Sequence, residues 1–135
     1  MRTAIHTRGT AYDPQRAIRT DRYKLIRHFG DRLEPVMPNV DDSPSKSLLI
    51  DAGWGGHPRP PLEFYDLIMD PGEMRNLAGE SAFAQLEEEL DRRLNDWMVQ
   101  TDDPLLDGPV PVPAGAFVND PSGVSATEPF LQAVD

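Results

Sequence analysis

The segment EFYDLIMDPGEMRNLAG, residues 63–79, predicts a strand that ends in a tight turn. Apolar and polar side chains alternate over its first residues, which is typical of a half-buried strand. The alternation stops at Asp70-Pro71-Gly72. There the proline fixes φ, the aspartate can accept a hydrogen bond from a backbone amide two residues on, and the glycine tolerates unusual dihedral angles. Leu77 and Ala78 then form an apolar anchor, so the segment predicts the order strand, turn, anchor and helix.

A helical pattern follows this turn, from near Ser81 to about Gln100. Ser81 or Glu80 is predicted to cap its N-terminus. Burial of the apolar side chains must offset the entropy lost when the backbone is ordered, so the helix needs a partner surface. We therefore expect it to pack across a sheet. The apolar residues recur at helical spacing and form one stripe, which consists of Phe83, Leu86, Leu90, Leu94, Trp97 and Met98.

The strands of that sheet are predicted before the turn. RAIRT (residues 16–20) and DRYKLIRHF (residues 21–29) indicate an antiparallel hairpin with a short link. SLLI (residues 47–50) is a third candidate strand, and LEFYDL (residues 62–67) is the fourth. Because no helix is expected between them, the sheet should be antiparallel, and the predicted fold class is α+β. It has a small, roughly four-stranded antiparallel sheet, one long C-terminal amphipathic helix packed on it, and a Pro-rich extended tail.

The C-terminal part of the chain has a different composition from the rest. Beyond Asp103 it is rich in proline and glycine and has no apolar period. We predict that residues 104–135 form an extended strap and tail. Residues 1–103 then form the folded subdomain, with an irregular N-terminal segment at residues 1–13.

Length, charge and composition restrict the classes of function. The chain has 135 residues, enough for one domain of ordinary size, and a formal net charge of −10. That charge argues against a nucleic-acid partner, because phosphate neutralisation needs clustered Lys and Arg. No apolar run is long enough to predict a membrane span, and the N-terminal stretch lacks a secretory signal, so the cytoplasm is the default expectation. The absence of cysteine excludes disulfides, thiolate metal sites and a cysteine nucleophile.

The residues alone do not indicate an enzyme. The three histidines are far apart in sequence and lack metal-ligand spacing, and no nucleophile or phosphate-binding motif occurs. Cationic side chains do cluster in the predicted hairpin. We interpret them as a solvated face of the hairpin; the alternative is that some of them face an anionic ligand. They are Arg16, Arg19, Arg22, Lys24, Arg27 and Arg32.

Three segments, taken in order, resemble the C-terminal subdomain of the sulfatase family, in its arylsulfatase and N-sulfoglucosamine sulfohydrolase-like branch. They are residues 12–29, residues 63–79 and LDRRLNDWMVQTDDPLL (residues 90–106). The family pattern has a hairpin RAVRT-x-RYK, then ELYDL-x-x-DP-x-E-x-x-NLA, then a helix with a Trp near its end. Phe64 stands where the family usually has Leu. The matching positions are Arg16, Arg19, Thr20, Tyr23, Lys24, Tyr65, Asp66, Leu67, Asp70, Pro71, Glu73, Asn76, Leu77, Ala78 and Trp97.

This resemblance implies a whole enzyme that hydrolyses sulfate esters or N-sulfamates. Such an enzyme uses a formylglycine made from Cys or Ser in a C/S-x-P-x-R motif, and a divalent cation, usually calcium, that acts as a Lewis acid. The sequence contains neither a cysteine nor a Ser-x-Pro-x-Arg motif. We therefore expect a separately encoded or truncated C-terminal piece that is inactive alone, with the formylglycine and calcium in a missing catalytic domain.

The resemblance also implies roles for a few residues and partners. In related sulfatases the segment before the hairpin approaches the substrate pocket, often with a histidine, which makes His6 a substrate-binding candidate and Arg8 a candidate anion contact. Glu73 and Asn76 are expected to fix the turn. The implied partners are a sulfatase catalytic domain or a sulfated carbohydrate, with no nucleic acid and no membrane. Two alternatives stay open: a non-enzymatic interaction module that retains this fold, and binding of an anionic polymer by the hairpin.

Overall fold

The computed structural model describes residues 11–132. In this part of the chain, no helix is both long and apolar enough to cross a lipid bilayer. The helices are α1 (Pro44–Asp51) and α2 (Ala84–Gln100). The strands are β1 (Gln15–Arg19), β2 (Tyr23–His28), β3 (Leu62–Asp66), β4 (Phe117–Val118) and β5 (Leu131–Gln132). Short 3₁₀ turns lie at Met37–Asn39, Trp54–Gly56, Ser81–Phe83 and Pro104–Leu106.

Backbone contacts divide the described chain into two compact units. The first unit contains residues 11–13, Arg32–Arg59 and residues 111–132, and so holds α1, β4 and β5. The second unit contains Pro14–Asp31 and Pro60–Val110, and so holds β1, β2, β3 and α2. The boundary that the sequence suggested after Asp103 stays a prediction.

The sheet of the second unit has three antiparallel strands in the order β1-β2-β3. Ile18 pairs with Leu25, and Leu25 pairs with Phe64. Thr20 closes the hairpin, since its amide donates to the Tyr23 carbonyl at 2.8 Å and its hydroxyl accepts from the Tyr23 amide at 2.9 Å. The predicted hairpin and the predicted strand at residues 62–67 are thus confirmed.

The prediction of a strand at residues 47–50 is wrong, because these residues belong to α1. Ser43 caps this helix, with its hydroxyl accepting a hydrogen bond from the Lys46 amide at 3.1 Å, and Pro44 occupies the first helical turn. Two further strands do exist in the described chain, but β4 and β5 pair with each other in the first unit. The α+β class, the antiparallel sheet and the long helix are confirmed, whereas the main sheet has three strands.

Helix α2 packs against one face of the three-stranded sheet. Leu90, Leu94 and Met98 are buried in one core cluster with Leu25 and Phe64. Phe83 and Leu86 are partly buried against that cluster. The amphipathic stripe is therefore confirmed at Leu90, Leu94 and Met98, and it continues through Leu86 to Phe83 in the 3₁₀ turn before the helix.

Two details of the predicted helix are wrong. Trp97 is 49% exposed, because one helical position separates it from Met98 and turns it by about 100° out of the buried stripe. The residue that precedes α2 is Phe83, and no side chain caps the helix there. Ser81 lies inside the 3₁₀ turn, and Glu80 precedes that turn without a capping hydrogen bond from its side chain. The start of the helix therefore lacks the side-chain cap that the sequence suggested.

The turn after β3 is held by the side chain of Asn76. Its Oδ1 accepts hydrogen bonds from the Phe64 amide at 2.8 Å and the Ala78 amide at 3.0 Å, and its Nδ2 donates to the Leu62 carbonyl at 3.1 Å. Asn76 thus satisfies backbone groups along the outer edge of β3, where no further strand pairs within residues 11–132. This confirms the expectation that Asn76 fixes the turn.

Glu73 holds the same turn in a different way. Its φ is 52°, in the left-handed region that disfavours a side chain with a Cβ. Its amide donates to the Asp70 carbonyl at 3.1 Å, and its carboxylate accepts a hydrogen bond from Lys24 Nζ at 2.6 Å. The ion pair to β2 thus fixes a backbone conformation that is unfavourable in itself, as expected for a turn residue.

Candidate functional site

The strongest cluster of ionisable side chains lies on the sheet face opposite α2. Leu25 and Phe64 face the helix, so their strand neighbours point the other way. We call this surface the polar sheet face, and its ionisable residues are Arg19, Lys24, His28, Glu63 and Tyr65.

Glu63 joins two rings on the polar sheet face. Its Oε1 lies 2.9 Å from His28 Nε2 on the neighbouring strand, and its Oε2 accepts a hydrogen bond from the Tyr65 hydroxyl at 2.6 Å. Burial of the Tyr65 ring raises the pKa of its hydroxyl, and the hydrogen bond to Glu63 raises that pKa further. Tyr65 therefore stays a neutral donor at physiological pH, and the carboxylate links β2 to β3.

The side chain of His28 is also deeply buried in this cluster. It is 5% exposed, and its Nδ1 is buried with no hydrogen-bond partner among the described residues. An unpaired buried nitrogen has an energetic cost, which the contact with Glu63 offsets. The sequence suggested a structural role for His28, and the contact with a carboxylate on the next strand is consistent with that role.

The geometry of this cluster favours hydrogen bonding over catalysis. One carboxylate oxygen of Glu63 already contacts His28 Nε2, and the other accepts a hydrogen bond from the Tyr65 hydroxyl. No Ser or Thr hydroxyl lies on the polar sheet face. Over residues 11–132, no group of three or more His, Asp or Glu side chains could hold a metal ion. The described residues therefore do not fit a calcium site, and we assign none to them. The substrate-binding candidates His6 and Arg8 lie outside the described residues and stay predictions.

The cationic cluster of the hairpin is largely neutralised within the chain. Arg16 pairs with Asp103 at 2.6 Å, Arg22 with Asp66 at 2.7 Å, Lys24 with Glu73 at 2.6 Å and Arg27 with Asp91, while Arg32 lies 4.0 Å from Glu34. Among the described cations of this cluster, Arg19 alone has no carboxylate within ion-pair distance. These contacts argue against an anionic polymer bound along the hairpin, because the charges that would bind it are already paired.

Two of these ion pairs predict how stability depends on pH. The hydrogen bond from Arg22 lowers the pKa of Asp66 below its ordinary value of 3.8, aided by the Met69 and Ile68 amides. The hydrogen bond from Arg16 lowers the pKa of Asp103 in the same way, aided by the Leu105 amide. A carboxyl group with a lowered pKa in the folded state contributes stability above its ordinary pKa, and this contribution is lost as the pH falls through the folded value.

We expect the advantage of the wild type over Asp66→Asn or Asp103→Asn to be largest near neutral pH and to shrink steadily below pH 3.8. Urea unfolding followed by circular dichroism between neutral and strongly acidic pH measures this difference. Asp107→Asn is the control, because Asp107 is exposed and its variant should track the wild type throughout. A wild-type advantage that is independent of pH would contradict the assignment.

Sequence reasoning missed the contact between Glu63 and His28. The two residues are 35 positions apart, and only the register of β2 with β3 brings them together. A signal was present nonetheless, because His28 and Glu63 both lie on the side of their strands that alternates with the core residues Leu25 and Phe64. Glu63 pairs with Ile26, so His28 is its diagonal neighbour two residues along β2, and pairing the predicted strands would have placed both side chains on one face.

Comparison with known proteins gives sequence relatives, although no family model matches the chain. The ulvan-active sulfatase of Formosa agariphila is 35% identical over 114 residues, which are 84% of this chain and 23% of that protein. The N-sulphoglucosamine sulphohydrolase of Homo sapiens is 28% identical over 117 residues, which are 77% of this chain and 23% of that protein. The chain thus spans about a quarter of the length of the curated relatives it matches.

One solved structure, that of a 2-O GAG sulfatase, resembles part of the fold. The match covers 73% of this chain and 15% of that structure, with a TM-score of 0.46 and 22% sequence identity. The sequence similarity, and not this superposition, carries the relationship.

Proposed function

We propose that this chain, which is related in sequence to the sulfatases and fits their C-terminal subdomain, is one part of a hydrolase that acts on sulfate esters or N-sulfamates. The observation that carries the proposal is the 35% identity over 84% of the chain, confined to 23% of the ulvan-active sulfatase. A match that fills this chain but only a fraction of its relative is expected of a subdomain. The catalytic formylglycine and the calcium ion then belong to a separate catalytic domain.

The proposed contribution of this chain is to complete a substrate pocket beside that catalytic domain. His6 and Arg8 carry this part of the proposal, because they lie a few residues before β1 in the sequence. A histidine and an arginine can donate hydrogen bonds to the oxygens of a sulfate group.

The first test is the activity of the purified chain. We expect no release of sulfate from aryl sulfates or sulfated sugars in the presence of calcium, because the chain has no cysteine and no Ser-x-Pro-x-Arg motif from which a formylglycine could form. Full-length ulvan-active sulfatase from Formosa agariphila, assayed in parallel, is the positive control for the method. Turnover by this chain alone would contradict the proposal.

The alternative is a non-enzymatic interaction module that retains the same fold. It is favoured by the polar sheet face, where Glu63 already contacts His28 and Tyr65 and no serine or threonine hydroxyl is present. The neighbouring reading frame distinguishes the two functions. A frame that encodes a sulfatase catalytic domain with its C/S-x-P-x-R motif supports the divided hydrolase, and a frame without one supports the module.

A further inference from the structure

The turn between β3 and α2 exposes three large apolar side chains. Ile68 is 64% exposed, Met69 is 77% exposed and Met74 is 88% exposed. They fall within residues 67–75, which we call the methionine turn. The chain has five methionines, and Met98 in the core is fully buried. Two thioethers are thus in contact with solvent on one short turn.

The methionine turn is held without any contribution from its thioethers. Asp66 Oδ1 accepts hydrogen bonds from the Ile68 and Met69 amides at 3.1 Å each. Asp70 Oδ2 accepts a hydrogen bond from the Arg75 amide at 2.8 Å. The backbone conformation is therefore set by carboxylates, and a chemical change at either sulfur leaves these hydrogen bonds in place.

We propose that Met69 and Met74 form a site of reversible oxidation by hydroperoxides. In this reaction the thioether sulfur attacks one oxygen of the peroxide, the O–O bond breaks, and the sulfur gains a bond to that oxygen. The sulfur loses two electrons and the peroxide gains them, and the second peroxide oxygen leaves, with a proton, as water or an alcohol. A dithiol-dependent sulfoxide reductase reverses the change: its two thiols become a disulfide, two electrons return to the methionine sulfur, and the sulfoxide oxygen leaves with two protons as water. This proposal is independent of the function proposed above.

The consequence is a change in surface character without a change in fold. A sulfoxide is polar and chiral, whereas the thioether is apolar, so oxidation of both residues converts an apolar turn into a polar one. Met98 contacts the core around Leu94 and Phe64, where oxidation would disrupt packing, but its burial protects it. Peroxide therefore oxidises Met69 and Met74 at the surface, while Met98 in the core stays reduced.

The test is oxidation of the folded chain by hydrogen peroxide, followed by peptide mass spectrometry over time. We expect Met69 and Met74 to oxidise at least tenfold faster than Met98, with half-buried Met37 between them, and the thermal unfolding midpoint to change little while the first two react. Retention on a hydrophobic interaction column should fall in parallel. Equal oxidation rates for Met69, Met74 and Met98 would overturn the proposal, as would unfolding that accompanies oxidation of the turn.

The double variant Met69→Leu/Met74→Leu is the matched control. Leucine keeps an apolar side chain of similar size at exposed positions, so the variant should fold and be retained on the column like the wild type before treatment. After peroxide treatment its retention should change far less than that of the wild type. A fall of equal size in both proteins would place the reactive surface elsewhere and overturn the assignment.

Discussion

Replacement of Leu94 by alanine should lower the free energy of unfolding by about 2–5 kcal/mol. Leu94 is buried at the centre of α2 and lies in one cluster with Leu25 and Phe64 of the sheet. The alanine removes buried methyl and methylene groups and leaves a cavity, because the sheet cannot collapse fully around it. Urea denaturation followed by circular dichroism measures the loss as a lower midpoint at an unchanged slope.

The matched control for this variant is Trp97→Ala on the same helix. Trp97 is larger than Leu94, but it is half-exposed and outside the buried stripe, so its removal should cost clearly less than the removal of Leu94. Alanine also has a better helix propensity than tryptophan, which reduces the cost further. If the two substitutions destabilise the chain equally, the face of α2 that packs on the sheet is not the one described.

Periodicity predicted the second unit well, because each of its elements buries one face. The hairpin of β1 and β2, the strand β3 and the helix α2 all carry apolar residues at the spacing that their structure requires. Residues 47–50 misled the prediction because a short apolar run has no period and fits a strand or a helix equally well. The local signals that decide the case were the capping Ser43 and the following Pro44, which start a helix.

The candidate site was less predictable than the fold, since its contacts join residues that are distant in sequence. Arg16 and Asp103 are 87 positions apart, and their ion pair depends on where the chain passes after the end of α2. The clustering of cations in the hairpin was visible in the sequence, but their carboxylate partners were not. A run of charged residues on a strand therefore indicates a solvent-exposed face only if no oppositely charged side chain on a neighbouring element pairs with it.

Replacement of Asn76 by alanine should lower the free energy of unfolding by about 2–4 kcal/mol, from three lost hydrogen bonds and the buried groups left without partners. The Phe64 amide is the costliest of these groups, because Phe64 is fully buried and no other strand in the described part of the chain pairs with this edge of β3. The Leu62 carbonyl loses its donor at the same edge. Amide hydrogen exchange should locate the effect, with the Phe64 amide losing more protection than the amides shared by β1 and β2.

The neighbouring variant Arg75→Ala tests whether this loss belongs to Asn76 or to any change in the turn. The Arg75 side chain is largely exposed, and its ion pair with Glu80 at 2.8 Å is a surface contact, so its removal should cost less than about 1 kcal/mol. The two substitutions are comparable because both residues follow Glu73 in the same turn. Of the two side chains, only that of Asn76 forms hydrogen bonds to β3. If Asn76→Ala were as mild as Arg75→Ala, the edge of β3 would be satisfied by solvent, and the junction between sheet and helix would not depend on this side chain.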